Sequence, residues 1–318
     1  MTPPTAVAAA VPVLAVDPPA PGRIASVSAD VAALVRPRIA VMVLATVIAA
    51  YWLVAGVPAD GASFALLLLG TALVASSSSI ANQILERTSD RLMRRTEARP
   101  LAAGRLDPVA AAAIAAVTLL GGTAAVVWGG GWQAAAAAVA TWLLYVIVYT
   151  PLKRISPLNT AVGAVAGALP VAIGWSAAGG AQRFAQGDAA GTLAVAALAT
   201  VLYLWQFPHF MAIAWIYRRQ YAAAGMRMLT VVDPSGLRAA GQALAAALAM
   251  IPVSLVLAVP SGSVRMFLAA ALASIAYALA TVRFAIRRDD GSARTLLFTS
   301  LGSLLGILAA AIAFGRPL

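Results

Sequence analysis

The fold is decided by the uncharged run at residues 109–128, VAAAAIAAVTLLGGTAAVVW. A helix needs roughly 20 apolar residues to cross the hydrocarbon core of a bilayer, and this run supplies them without one charge. Similar apolar runs recur on both sides of it. The sequence therefore predicts nine membrane-spanning helices, at about residues 39–57, 62–85, 109–128, 132–150, 159–177, 191–216, 238–259, 266–283 and 293–314.

The composition agrees with these spans. Of the 318 residues, 62% are hydrophobic and only 10% are charged, whereas soluble domains are near half apolar and about a quarter charged. A transmembrane β-barrel would alternate apolar and polar residues in short segments, but these runs are continuous. The sequence predicts an all-α, polytopic bundle in a lipid bilayer. Because the chain contains no cysteine, disulfides, thiolate metal sites and cysteine nucleophiles are excluded.

The excess of basic residues predicts an orientation. The chain carries 22 Lys and Arg against 11 Asp and Glu, a net charge of +11. In a membrane protein such an excess collects in cytoplasmic connections, so it does not indicate a nucleic-acid partner. With the N-terminus inside, the connections that face the cytoplasm hold 19 of the 22 basic residues. We expect an integral protein of the plasma (inner) membrane with a cytoplasmic active face.

The first 30 residues differ from the rest of the chain. Their only apolar stretch, residues 6–16, is too short to span a bilayer, and no basic residue precedes it. A signal peptide has a positively charged start, so we interpret residues 1–30 as a flexible N-terminal tail. Residues 31–318 are predicted to form a single transmembrane domain.

The densest group of polar residues begins inside the end of the second span. Asn82, Glu86 and Asp90 are spaced at i, i+4 and i+8, so a continuous helix places them on one face. Two carboxylates and an amide oxygen suit a hard cation such as Mg²⁺, which prefers oxygen ligands and often brings substrate phosphates. Arginines that could bind a diphosphate through their fork-shaped donors follow directly: Arg87, Arg91, Arg94, Arg95 and Arg99.

Two further groups contain residues that occur only once in the chain. The segment Tyr149-Thr-Pro-Leu-Lys153-Arg154 holds the only Lys, whose compact ammonium can bind phosphate. The segment Trp205-Gln-Phe-Pro-His209-Phe holds the only His, inside the sixth span. A neutral imidazole could ligate iron or act as a base, and ionisable residues within a membrane are functional candidates by default.

Each of these groups also has a purely structural interpretation. The acidic and basic residues after the second span could pair along an interfacial helix and satisfy the positive-inside rule. Lys153 could be an ordinary loop charge, and His209 could be a hydrogen-bonded core residue in an aromatic setting. Spacing alone leaves these alternatives open.

Taken in order, these groups resemble the UbiA superfamily of intramembrane prenyltransferases, and within it the branch that acts on heme. The match runs from about residue 34 to 235 and includes Arg36-Pro-Arg38-Ile, the Gly and Pro series from Asn159 to Trp175, and Tyr221…Gly225…Met228. The resemblance implies a nine-helix bundle with a central cavity. It also implies transfer of a farnesyl group from farnesyl diphosphate to a vinyl group of heme B, with water added, giving heme O and diphosphate for terminal oxidase biogenesis.

The resemblance further implies roles for individual residues and partners. Mg²⁺, the implied cofactor, would be held by Asn82, Glu86 and Asp90. Heme A synthase or oxidase assembly factors would be the protein partners. The implied catalytic set is Asn82, Glu86, Asp90 and Lys153; the diphosphate-binding set is Arg95, Arg99, Lys153 and Arg154; and the heme-binding set is His209, as orienting group or axial ligand, with Trp205 and Tyr149.

Three positions depart from the family pattern. Glu86 and Thr88 stand where many bacterial relatives carry Asp, and Gln220 stands where the family usually has Asp. Gln cannot neutralise a metal charge or act as a base, so one alternative is a catalytically impaired heme-binding assembly protein. A second alternative is another UbiA-type enzyme that prenylates an aromatic quinone precursor. A transporter is disfavoured, because the polar residues cluster at the ends of the spans and not at the midplane.

Overall fold

The structure, a computed structural model, describes residues 27–315, and every regular element in this range is helical. This confirms the predicted all-α fold. Of the predicted tail, residues 1–26 lie outside the described residues, and residues 27–30 form the start of α1. The helices are α1 Val27–Val35, α2 Pro37–Ala55, α3 Gly61–Asp90, α4 Pro108–Leu143, α5 Thr150–Leu152, α6 Asn159–Ala168, α7 Pro170–Ala177, α8 Gly180–Ala185, α9 Ala189–Ile216, α10 Arg218–Ala223, α11 Leu229–Val232, α12 Leu237–Val256, α13 Val264–Arg287 and α14 Asp290–Phe314, with a π-helical segment, Leu144–Tyr149, between α4 and α5.

Short polar side chains start five of the long helices. Asp60, Asp107, Asp188, Ser263 and Asp289 precede α3, α4, α9, α13 and α14, and each accepts a hydrogen bond from a backbone N–H of the first turn. The first N–H groups of a helix have no partner within the helix, and an apolar surrounding offers none. These caps therefore fix where the helices begin.

Eight helices among residues 27–315 are long and apolar enough to cross a membrane. A count by helix length and hydropathy therefore does not confirm the predicted nine, because Pro108–Leu152 counts as one helix of 45 residues. At the rise of an α-helix, 45 residues would extend about 68 Å, more than twice the thickness of the hydrocarbon core. This element must therefore bend back on itself if it lies within the membrane.

The bend lies at Gly131, whose φ of 82° and ψ of 170° interrupt the helix. Ser77 on α3 contacts both sides of the bend, since its hydroxyl donates to Ala115 O (2.7 Å) and accepts from Trp142 Nε1 (3.0 Å). In a straight helix residues 115 and 142 would be about 40 Å apart. The two arms therefore run antiparallel, and they correspond to the predicted spans 109–128 and 132–150.

The bundle is organised around α9, which packs against α2, α6, α12 and α14. Small residues allow other helices to approach closely, as is common inside membranes. At the crossing of α3 and α4, a Cβ atom on Gly122 would lie 2.8 Å from both Gly70 O and Leu73 Cβ. The backbones are thus in contact at this crossing.

The two long connections, 86–108 and 217–237, meet at one end of the bundle. Arg95 N donates to Gln220 Oε1 (3.2 Å), and Arg227 N donates to Lys153 O (2.7 Å). The connection after α5 thus joins them at the same end. That this end faces the cytoplasm remains a prediction from the charge count.

We expect Gly122→Ala to lower the thermal unfolding midpoint in detergent, because its methyl group would overlap the backbone of α3. Overpacking of this kind costs about 1–3 kcal/mol. The matched control is Gly121→Ala, since a Cβ at Gly121 meets nothing within 4 Å. Equal unfolding midpoints for the two variants, measured by thermal-shift size exclusion, would contradict the close crossing.

Candidate active site

Two buried ion pairs mark the end of α3. Lys153 Nζ lies 2.9 Å from Glu86 Oε1, and Arg99 Nη1 lies 2.7 Å from Asp90 Oδ2. The exposed fraction of these side chains ranges from 1% for Asp90 to 19% for Arg99. Charges withdrawn from water to this degree are stable only when paired. The pairs therefore hold α3 against the turn after α5 and against the connection that follows α3.

The predicted face of α3 is present. The helix continues to Asp90, and Asn82, Glu86 and Asp90 are all buried. Asn82 Nδ2 donates to Thr150 Oγ1 (3.0 Å), which in turn donates to Tyr145 O (2.9 Å). This chain of hydrogen bonds fixes the orientation of the Asn82 amide.

Two buried oxygens on this face have no hydrogen-bond partner among the described residues: Asn82 Oδ1 and Asp90 Oδ1. A buried oxygen without a partner costs free energy, and oxygen ligands are the ones that Mg²⁺ prefers. Within residues 27–315 no three His, Cys, Asp or Glu side chains come together. The residues present fit a Mg²⁺ ion that takes its remaining ligands from water or substrate phosphates.

A polar cavity of about 190 Å³ opens beside the Glu86–Lys153 pair. Among residues 27–315, its cationic lining residues are Arg36, Arg95, Arg99 and Lys153, and its only acidic one is Glu86. Asn82 also lines the cavity. Asp90 is not among the lining residues, but it pairs with Arg99, which is. Four cations against one carboxylate suit a polyanionic group such as a diphosphate.

The cations of this cavity hold their charge for different reasons. Burial alone would lower the pKa of the Lys153 ammonium, but the Glu86 carboxylate and the nearby tyrosines raise that pKa well above its usual value. Burial and the positive charge of Arg36 lower the pKa of the Arg99 guanidinium, yet arginine stays protonated in proteins. Both groups therefore stay cationic at neutral pH.

Arg95 is oriented by two tyrosines, Tyr217 at the junction of α9 and α10 and Tyr221 on α10. Its Nη2 donates to Tyr221 Oη (3.1 Å), and its guanidinium lies 4.8 Å from the centre of the Tyr217 ring and 5.5 Å from that of Tyr221. These contacts direct a long side chain toward the cavity, which lowers the entropy lost when an anion binds.

Gln220, where the family pattern has Asp, does not line the polar cavity. Its Oε1 accepts a hydrogen bond from the backbone N–H of Arg95 (3.2 Å). In this chain Gln220 therefore fastens α10 to the segment after α3 that carries Arg95.

Several predicted cations lie outside the polar cavity. Arg154 is exposed and is not among its lining residues. The same holds for Arg87, Arg91 and Arg94. Arg91 instead donates to Ala102 O (2.8 Å) within its own connection. Of the predicted diphosphate-binding set, the structure brings together Arg95, Arg99 and Lys153.

An apolar chamber of about 440 Å³ adjoins the polar cavity. The two share four lining residues, Tyr145, Tyr149, Phe210 and Ile213. The chamber extends between helices, with Val74, Ala138 and Ile173 among its walls. Its volume lies within the range of small-molecule sites, about 300–1,000 Å³, and a long apolar chain attached to an anion could occupy both spaces.

The predicted heme-binding residues occupy three different positions. His209 lines the apolar chamber, Tyr149 lies at its junction with the polar cavity, and Trp205 lines neither space. Trp205 stacks on His209 with ring centres 4.6 Å apart, and its Nε1 donates to Ser300 O (2.7 Å). Trp205 thus supports the imidazole from behind.

Sequence reasoning missed Arg36, Tyr145 and Tyr221 as site residues. Arg36 was part of the family match but had no role, and its φ of 52° at the break between α1 and α2 could not be read from the sequence. Tyr145 reaches the site because the backbone is π-helical over Leu144–Tyr149, a rare local form that often occurs at functional sites. Tyr221 could have been found from the sequence, because it directly follows Gln220 in the family match.

The sequence model described as the UbiA prenyltransferase family matches residues 43–311. A relative from Rhodopirellula baltica, named protoheme IX farnesyltransferase, is 39% identical over 283 residues, which cover 86% of this chain and 96% of that protein.

Solved structures of low sequence identity share the fold. A structure described as digeranylgeranylglyceryl phosphate synthase has a TM-score of 0.73 at 15% identity and covers 90% of this chain and 97% of its own. A UbiA homologue from Archaeoglobus fulgidus, bound to DMAPP and Mg²⁺, has a TM-score of 0.68 at 17% identity and covers 90% of this chain and 98% of its own.

Removing Arg99 should destabilise the fold, because it leaves the Asp90 carboxylate buried without its partner. Breaking a buried pair from one side costs about 3–5 kcal/mol. We expect Arg99→Ala to unfold at clearly lower temperature than Arg94→Ala, whose side chain is exposed.

The double variant Arg99→Ala/Asp90→Asn separates this effect from lost packing. Because the uncompensated charge is gone, it should recover part of the loss in the unfolding midpoint. If the double variant unfolds at the same temperature as Arg99→Ala, or lower, the ion pair is not what stabilises this end of α3.

Proposed function

Because the chain belongs to the UbiA prenyltransferase family, we propose that it transfers the farnesyl group of farnesyl diphosphate to a vinyl group of heme B, giving heme O and diphosphate. The observation that carries the proposal is the cationic polar cavity that opens into an apolar chamber. The relative named protoheme IX farnesyltransferase supports heme as the acceptor.

The diphosphate is bound in the polar cavity by Arg36, Arg95, Arg99 and Lys153. When the allylic C–O bond breaks, negative charge builds on the departing diphosphate, and cations already in position stabilise it without reorganisation. Lys153 is fixed by Glu86, and Arg95 by Tyr221. A Mg²⁺ ion, held by Asn82, Glu86 and Asp90, would add positive charge for the same leaving group.

The farnesyl chain extends into the apolar chamber. Tyr145, Tyr149, Phe210 and Ile213 line both spaces, so the carbon that bears the diphosphate lies among them. Their rings and side chains limit the access of water to the allylic cation, and the electron-rich faces of the aromatic rings favour a positive charge.

Heme B presents a vinyl group to the cation from the side of His209 and Tyr149. Trp205 contributes through its stacking contact with His209. We place the enzyme in the plasma membrane with the polar cavity toward the cytoplasm. The exposed Arg154, next to Lys153 in sequence, would bind the diphosphate group as the substrate enters. Heme A synthase or an oxidase assembly factor would receive the product.

The direct test incubates the purified protein with heme B, farnesyl diphosphate and Mg²⁺ and measures heme O by mass spectrometry. Glu86→Gln should lose most of the activity, because it removes the negative charge that pairs with Lys153 and that would help to hold Mg²⁺. Glu97→Gln, which alters an exposed carboxylate of the next connection, is the matched control and should retain it.

An aromatic quinone precursor, 4-hydroxybenzoate, is supplied in a parallel reaction. Farnesylated benzoate without any heme O would refute the assignment of heme as the acceptor while keeping prenyl transfer. Full activity of Glu86→Gln would refute the role of the α3 face.

Arg95→Ala should raise the KM for farnesyl diphosphate and also lower kcat, because Arg95 would bind the diphosphate in the ground state and stabilise the charge that builds on it in the transition state. A charge-assisted hydrogen bond lost in this way corresponds to about 1.5–3 kcal/mol, or roughly tenfold to a hundredfold in kcat/KM. Arg94→Ala is the control at the neighbouring exposed position. An unchanged KM for Arg95→Ala would exclude contact with the diphosphate.

A further inference from the structure

Most polar side chains of the apolar chamber offer hydrogen-bond acceptors only. The hydroxyls of Thr71, Ser78 and Thr141 each donate their single proton to the backbone carbonyl four residues earlier, at 2.8 to 3.0 Å. Such bonds leave only oxygen lone pairs for other partners. The remaining hydroxyls of the chamber belong to Ser79 and to the two tyrosines at the junction with the polar cavity.

Gln206 shows the same polarity. Its Nε2 donates to Ala164 O (3.0 Å) and to Leu202 O (3.1 Å), which uses both of its protons. Because Gln206 lines the chamber, the group that it leaves for a ligand is its carbonyl oxygen.

The tautomer of His209 follows from its partner. Ser300 Oγ donates its one proton to Leu297 O (2.6 Å) and lies 2.7 Å from His209 Nδ1. The serine oxygen can therefore only accept from the imidazole, so Nδ1 carries the proton. Nε2 then keeps its lone pair and has no hydrogen-bond partner among the described residues, on a ring that lines the chamber.

His209 and Gln206 are three residues apart on α9 and lie on the same face. A water molecule between them would donate one proton to His209 Nε2 and the other to Gln206 Oε1. Its oxygen lone pairs would then point away from both residues and into the chamber. This is the orientation in which water attacks a carbocation.

We propose that His209, held as the Nδ1–H tautomer by Ser300, accepts the proton of the water that adds during heme farnesylation, with Gln206 orienting that water. The proposal rests on the function proposed above and adds the base for its last step. His209 is the catalytic residue, and Ser300 is a positioning residue that acts through it.

The diphosphate leaves with the electrons of its C–O bond, and the vinyl π pair then forms a C–C bond to the farnesyl cation, which puts a positive charge on the inner vinyl carbon. A lone pair of the water oxygen forms the C–O bond to that carbon. The water proton moves to His209 Nε2, and the imidazolium later releases it to solvent.

The test compares the products of Ser300→Ala, Ser300→Thr and His209→Gln by mass spectrometry. Without an effective base the cation loses a carbon-bound proton and forms an alkene that is lighter than heme O by one water. His209→Gln should lower the rate of heme O formation on the order of a hundredfold, and Ser300→Ala on the order of tenfold, with a larger share of alkene in both. Ser300→Thr keeps the hydroxyl and should restore the wild-type share.

The matched control is Ser303→Ala, because Ser303 is also buried on α14 but donates to Ala273 O, away from the chamber. A product ratio and rate for Ser300→Ala equal to those of Ser303→Ala would overturn the proposal. Loss of both heme O and the alkene in Ser300→Ala, with farnesyl diphosphate binding unchanged, would also overturn it, because the base acts only after the C–C bond has formed. If His209→Gln does not fold, Ser300→Ala decides.

Two further results separate this proposal from its premise. A shifted heme absorption spectrum in His209→Gln with an unchanged product ratio would make Nε2 an iron ligand and refute its role as base. Absence of any farnesylated heme from the wild-type protein would instead refute the proposed function itself.

Discussion

Burial of charge at the end of a membrane bundle is the constraint on which the site depends. Glu86 and Asp90 are the two buried carboxylates of α3, and each would be too costly to bury alone. Lys153 and Arg99 offset that cost from two different connections. The pairs therefore do two things at once. They fasten the connections to α3, and they place two of the cavity's four cations where a diphosphate would lie.

The few acidic residues of the chain have distinct uses. Four of them, Asp60, Asp107, Asp188 and Asp289, cap helices. Asp233 accepts hydrogen bonds from the backbone N–H of Ser235, in the turn before α12, and of Arg238, in the first turn of α12. Each of these carboxylates thus lies at a helix end, where backbone N–H groups need a partner. Gln220 fits the same pattern, because a neutral amide oxygen binds the Arg95 backbone without adding a negative charge beside the cations. The absence of an acid there is thus compatible with an active site that relies on positive charge.

Much of the fold could be predicted from hydrophobic length alone, since each predicted span overlaps a helical segment of the structure. The face formed by Asn82, Glu86 and Asp90 followed from helical spacing. Other features depend on local backbone geometry that composition does not encode. The left-handed backbone of Arg36 and the π-helical turn that presents Tyr145 are of this kind. The resemblance implied that both Lys153 and Arg154 bind diphosphate, but the turn that buries the Lys153 side chain exposes that of Arg154.

The two adjoining spaces differ in the sign of the charge that they accept. The polar cavity offers cations and suits an anion, while the chamber offers lone pairs and suits a positive centre or a donor. Separating an anion from a carbocation is unfavourable in a medium of low dielectric constant. A site that stabilises each fragment with groups of the opposite sign lowers that cost at both ends. The helix hydroxyls achieve this without buried charge, because a proton given to the backbone leaves an oriented dipole in place.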